Sequence, residues 1–211
     1  RVAGGKFVLD DFQTNSDLAT SSSGGAVTGN VLGWAEGRMD DPNTSFTDNP
    51  SSFNGFTAAG ALDDSSGAVF EFDGSRDMEI AFAIPGEGAD VRDLTFLSFR
   101  ACQVTRDALT TTEEADLTFD VSLTDTSGTT ATLDIGAWGG GIEEPYQRGS
   151  CGSGFGWGNE FETVRIRLTD FLAGGTGLDL GSLATLTFTF GPGAGSAVGR
   201  LGLDDVEFTT D

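Results

Sequence analysis

The sequence predicts an all-β protein, an antiparallel β-sandwich of two sheets, and three observations predict it. Apolar residues recur at a period of two or in short runs, and almost nowhere at helical spacing. Glycine is abundant, 32 of 211 residues, and is scattered without a collagen period, as frequent turns between short strands require. A further 17 residues are phenylalanine, enough aromatic bulk to fill a core. No apolar run approaches the roughly 18 residues of a membrane span.

Taken in order, the runs place strands at 7–12, 31–35, 69–72, 78–84, 94–104, 117–124, 129–135, 163–168, 184–190 and 200–208. Residues 107–115 (Asp-Ala-Leu-Thr-Thr-Thr-Glu-Glu-Ala) are the one stretch suited to a helical turn or two. Asp125-Thr-Ser-Gly128 is a hairpin turn, with Gly128 free to take positive φ. Residues 14–66 are poor in strands and rich in Ser, Gly, Asn and Asp. Trp34, Phe46, Phe53 and Phe56 interrupt them, so this region is expected to pack as loops of the same domain. No composition break divides the chain, and residues 1–211 read as one β-sandwich domain.

Three strands alternate cleanly enough to assign faces. Leu117, Phe119, Val121 and Leu123 point inward, opposite Thr118, Asp120, Ser122 and Thr124. Val164, Ile166 and Leu168 point inward, leaving Thr163, Arg165 and Arg167 outside. Leu186, Phe188 and Phe190 point inward, leaving Thr185, Thr187 and Thr189 outside. If these strands share a sheet, its wet face carries threonines, Asp120 and two arginines.

Charge and composition then remove function classes. Acidic residues number 33 against 11 basic, a net charge of −22, which repels nucleic acid and anionic membranes. There is no histidine, which removes the Ser-His-Asp and Cys-His nucleophile arrangements and the usual base near neutral pH. Two cysteines cannot build a four-thiolate metal site. Carboxylate chemistry, hard-cation binding and recognition remain. In an extracellular chain Cys102 and Cys151 would form one disulfide; the alternative is two thiols, one buried and one exposed. No leader segment is visible at Arg1, so the chain reads as mature, a fragment or cytosolic. One lysine beside ten arginines suits a secreted protein of a high-GC or salt-tolerant bacterium.

Five segments, in order, resemble a known family. Phe7-Val-Leu-Asp-Asp-Phe-Gln13 is similar to the opening strand of family-eleven carbohydrate-binding modules, and Leu94-Thr-Phe-Leu-Ser-Phe-Arg-Ala101 to a central strand. Phe161-Glu-Thr-Val-Arg-Ile-Arg-Leu-Thr-Asp-Phe171 resembles their Trp-x-Thr-Val-x-Ile-Pro-Leu-Ser-x-Phe segment. Leu178-Asp-Leu-Gly-Ser-Leu183 and Gly199-Arg-Leu-Gly-Leu-Asp-Asp-Val-Glu-Phe208 resemble the closing strands. The resemblance implies a galactose-binding-like jelly roll, appended to secreted bacterial hydrolases and holding structural calcium. Phe161 stands where the family has Trp, and Arg167 where it has Pro. The family's β-glucan binders line their cleft with several tyrosines and this chain has only Tyr146, so their ligand residues do not carry over.

The candidate site residues follow. The resemblance places a calcium ligand at Asp204. The pairs Asp10-Asp11 and Asp204-Asp205, near the two chain ends, supply the oxygens such an ion wants; the alternative is exposed acids in an acidic chain. Trp138, Tyr146 and Trp157 crowd the glycine-rich stretch 136–158, either as a stacking platform for a sugar or as anchors for the loop. Arg165 and Arg167, with Asp120, either recognise carboxylate or sulfate groups or form cross-strand salt bridges. Glu143-Glu144 is adjacent in sequence and does not form a glycosidase pair. The leading reading is a non-catalytic secreted carbohydrate-binding module with structural calcium, part of a larger secreted protein, with a glycan as its partner. The alternative is a structural or adhesive domain of a secreted or surface protein such as a peptidase. A carboxylate hydrolase is disfavoured.

Overall fold

The computed structural model describes residues 5–12, 19–31, 33–38, 45–46, 53–54, 58–59, 66–104, 116–143, 146–148 and 156–211. The strands run β1 (Lys6–Asp10), β2 (Val27–Gly29), β3 (Gly33–Arg38), β4 (Ser45–Phe46), β5 (Phe53–Asn54), β6 (Ala58–Ala59), β7 (Ser66–Asp73) and β8 (Met78–Ala83). They continue with β9 (Phe96–Gln103), β10 (Asp120–Asp125), β11 (Thr130–Asp134), β12 (Tyr146–Arg148), β13 (Gly156–Glu160), β14 (Glu162–Arg167), β15 (Leu183–Phe190) and β16 (Val198–Thr209). Two 3-10 turns, Ile135–Ala137 and Leu168–Leu172, are the helical elements among the described residues. None is long and apolar enough to cross a membrane.

All ten expected strands are present, and the fold is an antiparallel jelly-roll sandwich. A six-stranded sheet runs β14-β9-β16-β7-β3, with β1 also pairing β16. A five-stranded sheet runs β11-β10-β15-β8-β2. Two small sheets, β12-β13-β6 and β4-β5, accompany them. The short strands β2, β4, β5, β6, β12 and β13 lacked an alternating run long enough to read. The expected helical turn at 107–115 lies outside the described residues, as does most of the loop region 14–66.

Alternation fixes which side chains meet between the sheets. Phe70, Phe72, Phe99 and Phe208 from the larger sheet and Phe82, Phe188 and Phe190 from the smaller are fully buried, joined by Phe119 just before β10. Phe72 and Phe190 stack with centroids 4.9 Å apart, and Phe99 meets Phe188 edge-on at 5.3 Å. Each such burial contributes about 1.5–3 kcal/mol against the entropy of ordering the chain.

The hairpin at Asp125 is fixed by its own carboxylate. Oδ1 accepts from the Ser127 hydroxyl at 2.6 Å and from the Ser127 and Thr129 N–H groups, both at 2.9 Å. Oδ2 accepts from the Asp179 N–H at 3.0 Å, tying the turn to the segment before β15. Gly128 takes φ 86° there, as expected.

The outer faces of the two sheets differ. On the smaller sheet, cross-strand rows read Thr130–Thr124–Thr185–Ala83 and Thr132–Ser122–Thr187–Ala81–Thr28. This face is open, and its hydroxyls pair across strands, Ser122 with Thr132 and Thr124 with Thr130, each at 2.8 Å. On the larger sheet, the outward residues of β7, β9 and β16 include Val69, Glu71, Cys102, Arg200 and Asp204, all buried.

Cys102 corrects one expectation. It is a free thiol with no exposed surface, so it forms no disulfide with Cys151, which lies outside the described residues. Its sulfur occupies the space left by Gly202 on β16, where an added Cβ would come within 2.7 Å of it. Burial pushes the thiol pKa up, and Cys102 behaves as a small apolar side chain.

Candidate functional site

The groove that concentrates the candidate residues lies where the edge strands β14 and β11 approach the same side of the sandwich. β11 ends at Asp134, whose carboxylate accepts the Gly136 N–H at 2.8 Å and caps the 3-10 turn that follows. Ile135 is buried and donates its N–H to Phe119 O at 3.0 Å, which fixes the turn to the core. Trp138 follows, its N–H bonded to Ile135 O at 2.8 Å and its ring half-buried against the core. The chain then returns through Gly139, Gly140 and Gly141, all with positive φ. A Cβ on Gly141 would lie 2.7 Å from Leu117 O, so only glycine allows the paired Leu117–Ile142 bridge that closes the loop.

Facing this loop is β14, which among the described residues pairs with β9 on one side only. Leu168 donates its N–H to Thr95 O at 2.9 Å; from that register Ile166, Val164 and Glu162 bond to β9. Thr163, Arg165 and Arg167 therefore turn their backbone groups to the free edge and their side chains outward. Trp138, Gly139, Glu162, Thr163, Val164 and Arg165 enclose an open groove of about 600 Å³. That volume falls among ordinary ligand sites, and an aromatic wall with a few polar groups is their usual lining.

Glu162 is the group that the sequence reading missed. It is half-buried and accepts the Glu143 N–H at 2.6 Å. Burial pushes its pKa up, opposed by that hydrogen bond and reinforced by the charges of Glu143 and Asp116. A sequence signal existed: Glu162 falls in phase with inward-facing Val164 and Ile166, an acid at a core-side position.

The expected residues divide as follows. Trp138 and Arg165 share the groove, and Arg167 lies two residues further along the same edge. Tyr146 stands opposite Gly158, and Trp157 opposite Gln147, in the β12–β13 pair. Asp120 is not beside the arginines. It sits on the smaller sheet, opposite Asp134 and Thr189, whereas β14 belongs to the larger one. Burial, first, and Asp134 and Asp77, second, push its carboxyl pKa up. Identical alternation in β10, β14 and β15 tells inside from outside but not which sheet a strand joins.

The terminal acids stand as two pairs, Asp10-Asp11 near the start of the chain and Asp204-Asp205 on β16. Asp10 is buried, and its Oδ1 accepts from the Phe12 N–H at 3.0 Å and from the Ser22 hydroxyl at 2.9 Å; burial pushes its pKa up. The Ser22 hydroxyl also meets Asp11. Asp204 Oδ2 lies 3.2 Å from Arg100 Nη1, with Asp205 Oδ2 at 3.8 Å from the same nitrogen. Asp205 occupies a bulge with φ 48°, and burial pushes its pKa up. The guanidinium of Arg100 beside them is stacked 5.1 Å over Phe161. Among the described residues no three His, Cys, Asp or Glu side chains are grouped to hold a metal.

No family model and no curated protein matches the sequence. Solved structures do match in fold. A family 11 carbohydrate-binding module of the cellulosomal cellulase Lic26A-Cel5E of Clostridium thermocellum aligns over 100% of this chain and 97% of that one, at 12% identity and TM-score 0.51. A family 30 carbohydrate-binding module aligns over 86% and 83%, at 13% identity and TM-score 0.50. An exo-β-agarase aligns over 99% of this chain but 26% of its own, at 12% identity and TM-score 0.51. With its two antiparallel sheets, paired chain ends and full-length alignment, the chain has the jelly-roll fold of the family 11 and family 30 carbohydrate-binding modules.

Proposed function

We propose that this chain is a non-catalytic carbohydrate-binding domain of a secreted protein, and that it holds its glycan in the groove between Trp138 and β14. The observation that carries the reading is the groove itself. An aromatic wall, Trp138, faces a carboxylate, a hydroxyl and a guanidinium from Glu162, Thr163 and Arg165 across about 600 Å³. Pyranose rings present apolar C–H faces for an indole and hydroxyls for flanking polar groups, so this lining suits a sugar chain. The fold likeness supports the same class: one matching structure is a family 11 module in complex with a β-1,3-1,4-mixed-linked tetrasaccharide. A chain of 211 residues without histidine favours recognition over catalysis.

Titration calorimetry against a panel of soluble polysaccharides tests the reading. Trp138→Ala is expected to weaken binding by about 1–3 kcal/mol, as truncated aromatic anchors do, with the melting temperature showing the fold intact. Binding that is indifferent to Trp138 would move the site elsewhere. Absence of any binding would favour the structural or adhesive role.

A further inference from the structure

We infer that the glycan taken by this groove carries anionic groups, carboxylate or sulfate, and that Arg165 and Arg167 are the residues that select them. The inference rests on the carbohydrate-binding reading and names the substrate class for the same site. In a chain with three acids for every base, a cation without an acid is an anomaly. Lys6 pairs with Glu207, Arg92 with Asp90, Arg100 with Asp204, and Arg200 with Glu71. Arg76 donates to the carbonyl of Asn30. Arg165 and Arg167, both exposed, have no ion pair among the described residues.

Their placement explains why. In the cross-strand row Arg165–Ser98–Glu207, the acid stands two strands away, about 10 Å, and is already bonded to Lys6. The row Arg167–Phe96–Thr209 contains no acid. Among the described residues, the charges acting on the Glu162 carboxyl are those of Glu143 and Asp116. Two arginines whose Cα atoms lie about 7 Å apart along one strand edge, beginning at the groove wall, can each grip an oxyanion in bidentate fashion. Successive charged sugars of a chain lying along β14 would meet them in turn. The overall charge of −22 opposes a polyanion at long range, but at physiological salt that field is screened beyond about 8 Å.

The test compares one polymer in two charge states. Binding of polygalacturonate and of its fully methyl-esterified form is measured by calorimetry at 0.15 M salt, as a condition, with a sulfated galactan and its desulfated form as the second pair. The wild type is expected to prefer the charged member of at least one pair by about tenfold or more, the size of one or two charge-assisted hydrogen bonds. Which pair shows the preference separates carboxylate from sulfate. In R165A/R167A the preference should vanish, and in R165K/R167K return only in part, because lysine lacks the planar fork. Equal binding of charged and neutral forms, with Trp138→Ala weakening both, would overturn the inference and leave the carbohydrate reading standing. A charge preference retained in R165A/R167A would also overturn it. No binding of any polymer would overturn both.

Discussion

The outer faces of the two sheets are built by the same alternation and end in opposite states. On β10, β15 and β11 the outward residues are mostly threonine and serine, with Asp120 and Asp134 at one end, and Ser122–Thr132 and Thr124–Thr130 bond across strands. On β7, β9 and β16 they include Val69, Cys102, Arg200, Glu71 and Asp204, all buried, with Arg200 Nε 3.0 Å from Glu71 Oε1. Period two alone distinguishes core from not-core; it cannot separate a face that stays wet from one that is covered. The residue types do separate them. A wet face is content with small hydroxyls, whereas a covered one must neutralise every charge it holds.

Breaking one partner on the covered face should have the largest effect. Arg200→Ala leaves the buried Glu71 carboxylate without its guanidinium and is expected to cost about 3–5 kcal/mol, read from denaturant unfolding. The double variant E71L/R200M should recover most of that loss, since apolar side chains of similar size satisfy a covered face. A loss below about 1 kcal/mol in Arg200→Ala would show that this face is wet after all.

Asp125 gives an intermediate, pH-dependent effect from a turn at the edge of the smaller sheet. The Ser127 hydroxyl, first, and the Asp179 N–H, second, hold its carboxyl down to about 2. A depressed pKa stabilises the fold above the unfolded-state value of about 4 and loses that contribution as pH falls through the folded value. The melting temperature of Asp125→Ala should therefore lie below the wild type at pH 7 and converge with it near pH 2. A gap that is constant with pH would refute the role of the ionised carboxylate.

Glu162 sharpens the contrast at the groove. Because burial raises its pKa, it is the acid there that protonates early as pH falls. With Glu143 and Asp116 as its charged neighbours, its neutralisation removes repulsion from an anionic ligand. Affinity for a polyanionic glycan should rise as pH falls from 7 towards the carboxylate range, and in Glu162→Gln that rise should be absent. A falling affinity over the same range would contradict this placement. The smallest effect belongs to the wet face: Thr187→Val should change stability by no more than about 0.5 kcal/mol.

The strands, their inward faces and the jelly-roll class were legible in the sequence, because period-two burial is a local property. Sheet membership was not: Asp120 and Arg165 sit at equivalent outward positions, and only long-range pairing places them on opposite sheets. Trp138 and Arg165 were both legible as candidates, yet no local pattern joins residues on different elements into one groove. The Cys102–Cys151 disulfide failed because two cysteines in an acidic chain say nothing about the depth of either; Cys102 lies mid-sheet against Gly202.

The most direct measurement of the central claim is a nuclear magnetic resonance titration of the labelled protein, once with the β-1,3-1,4-glucan tetrasaccharide and once with a galacturonic acid oligomer. The expected result is that the Trp138 indole N–H and the backbone amides of Thr163 and Arg165 shift in saturable fashion with at least one of them, while those of Ser122, Thr132 and Thr187 on the open face stay in place. Saturable shifts confined to the threonine face, or to residues away from β14 and the 135–143 loop, would contradict it.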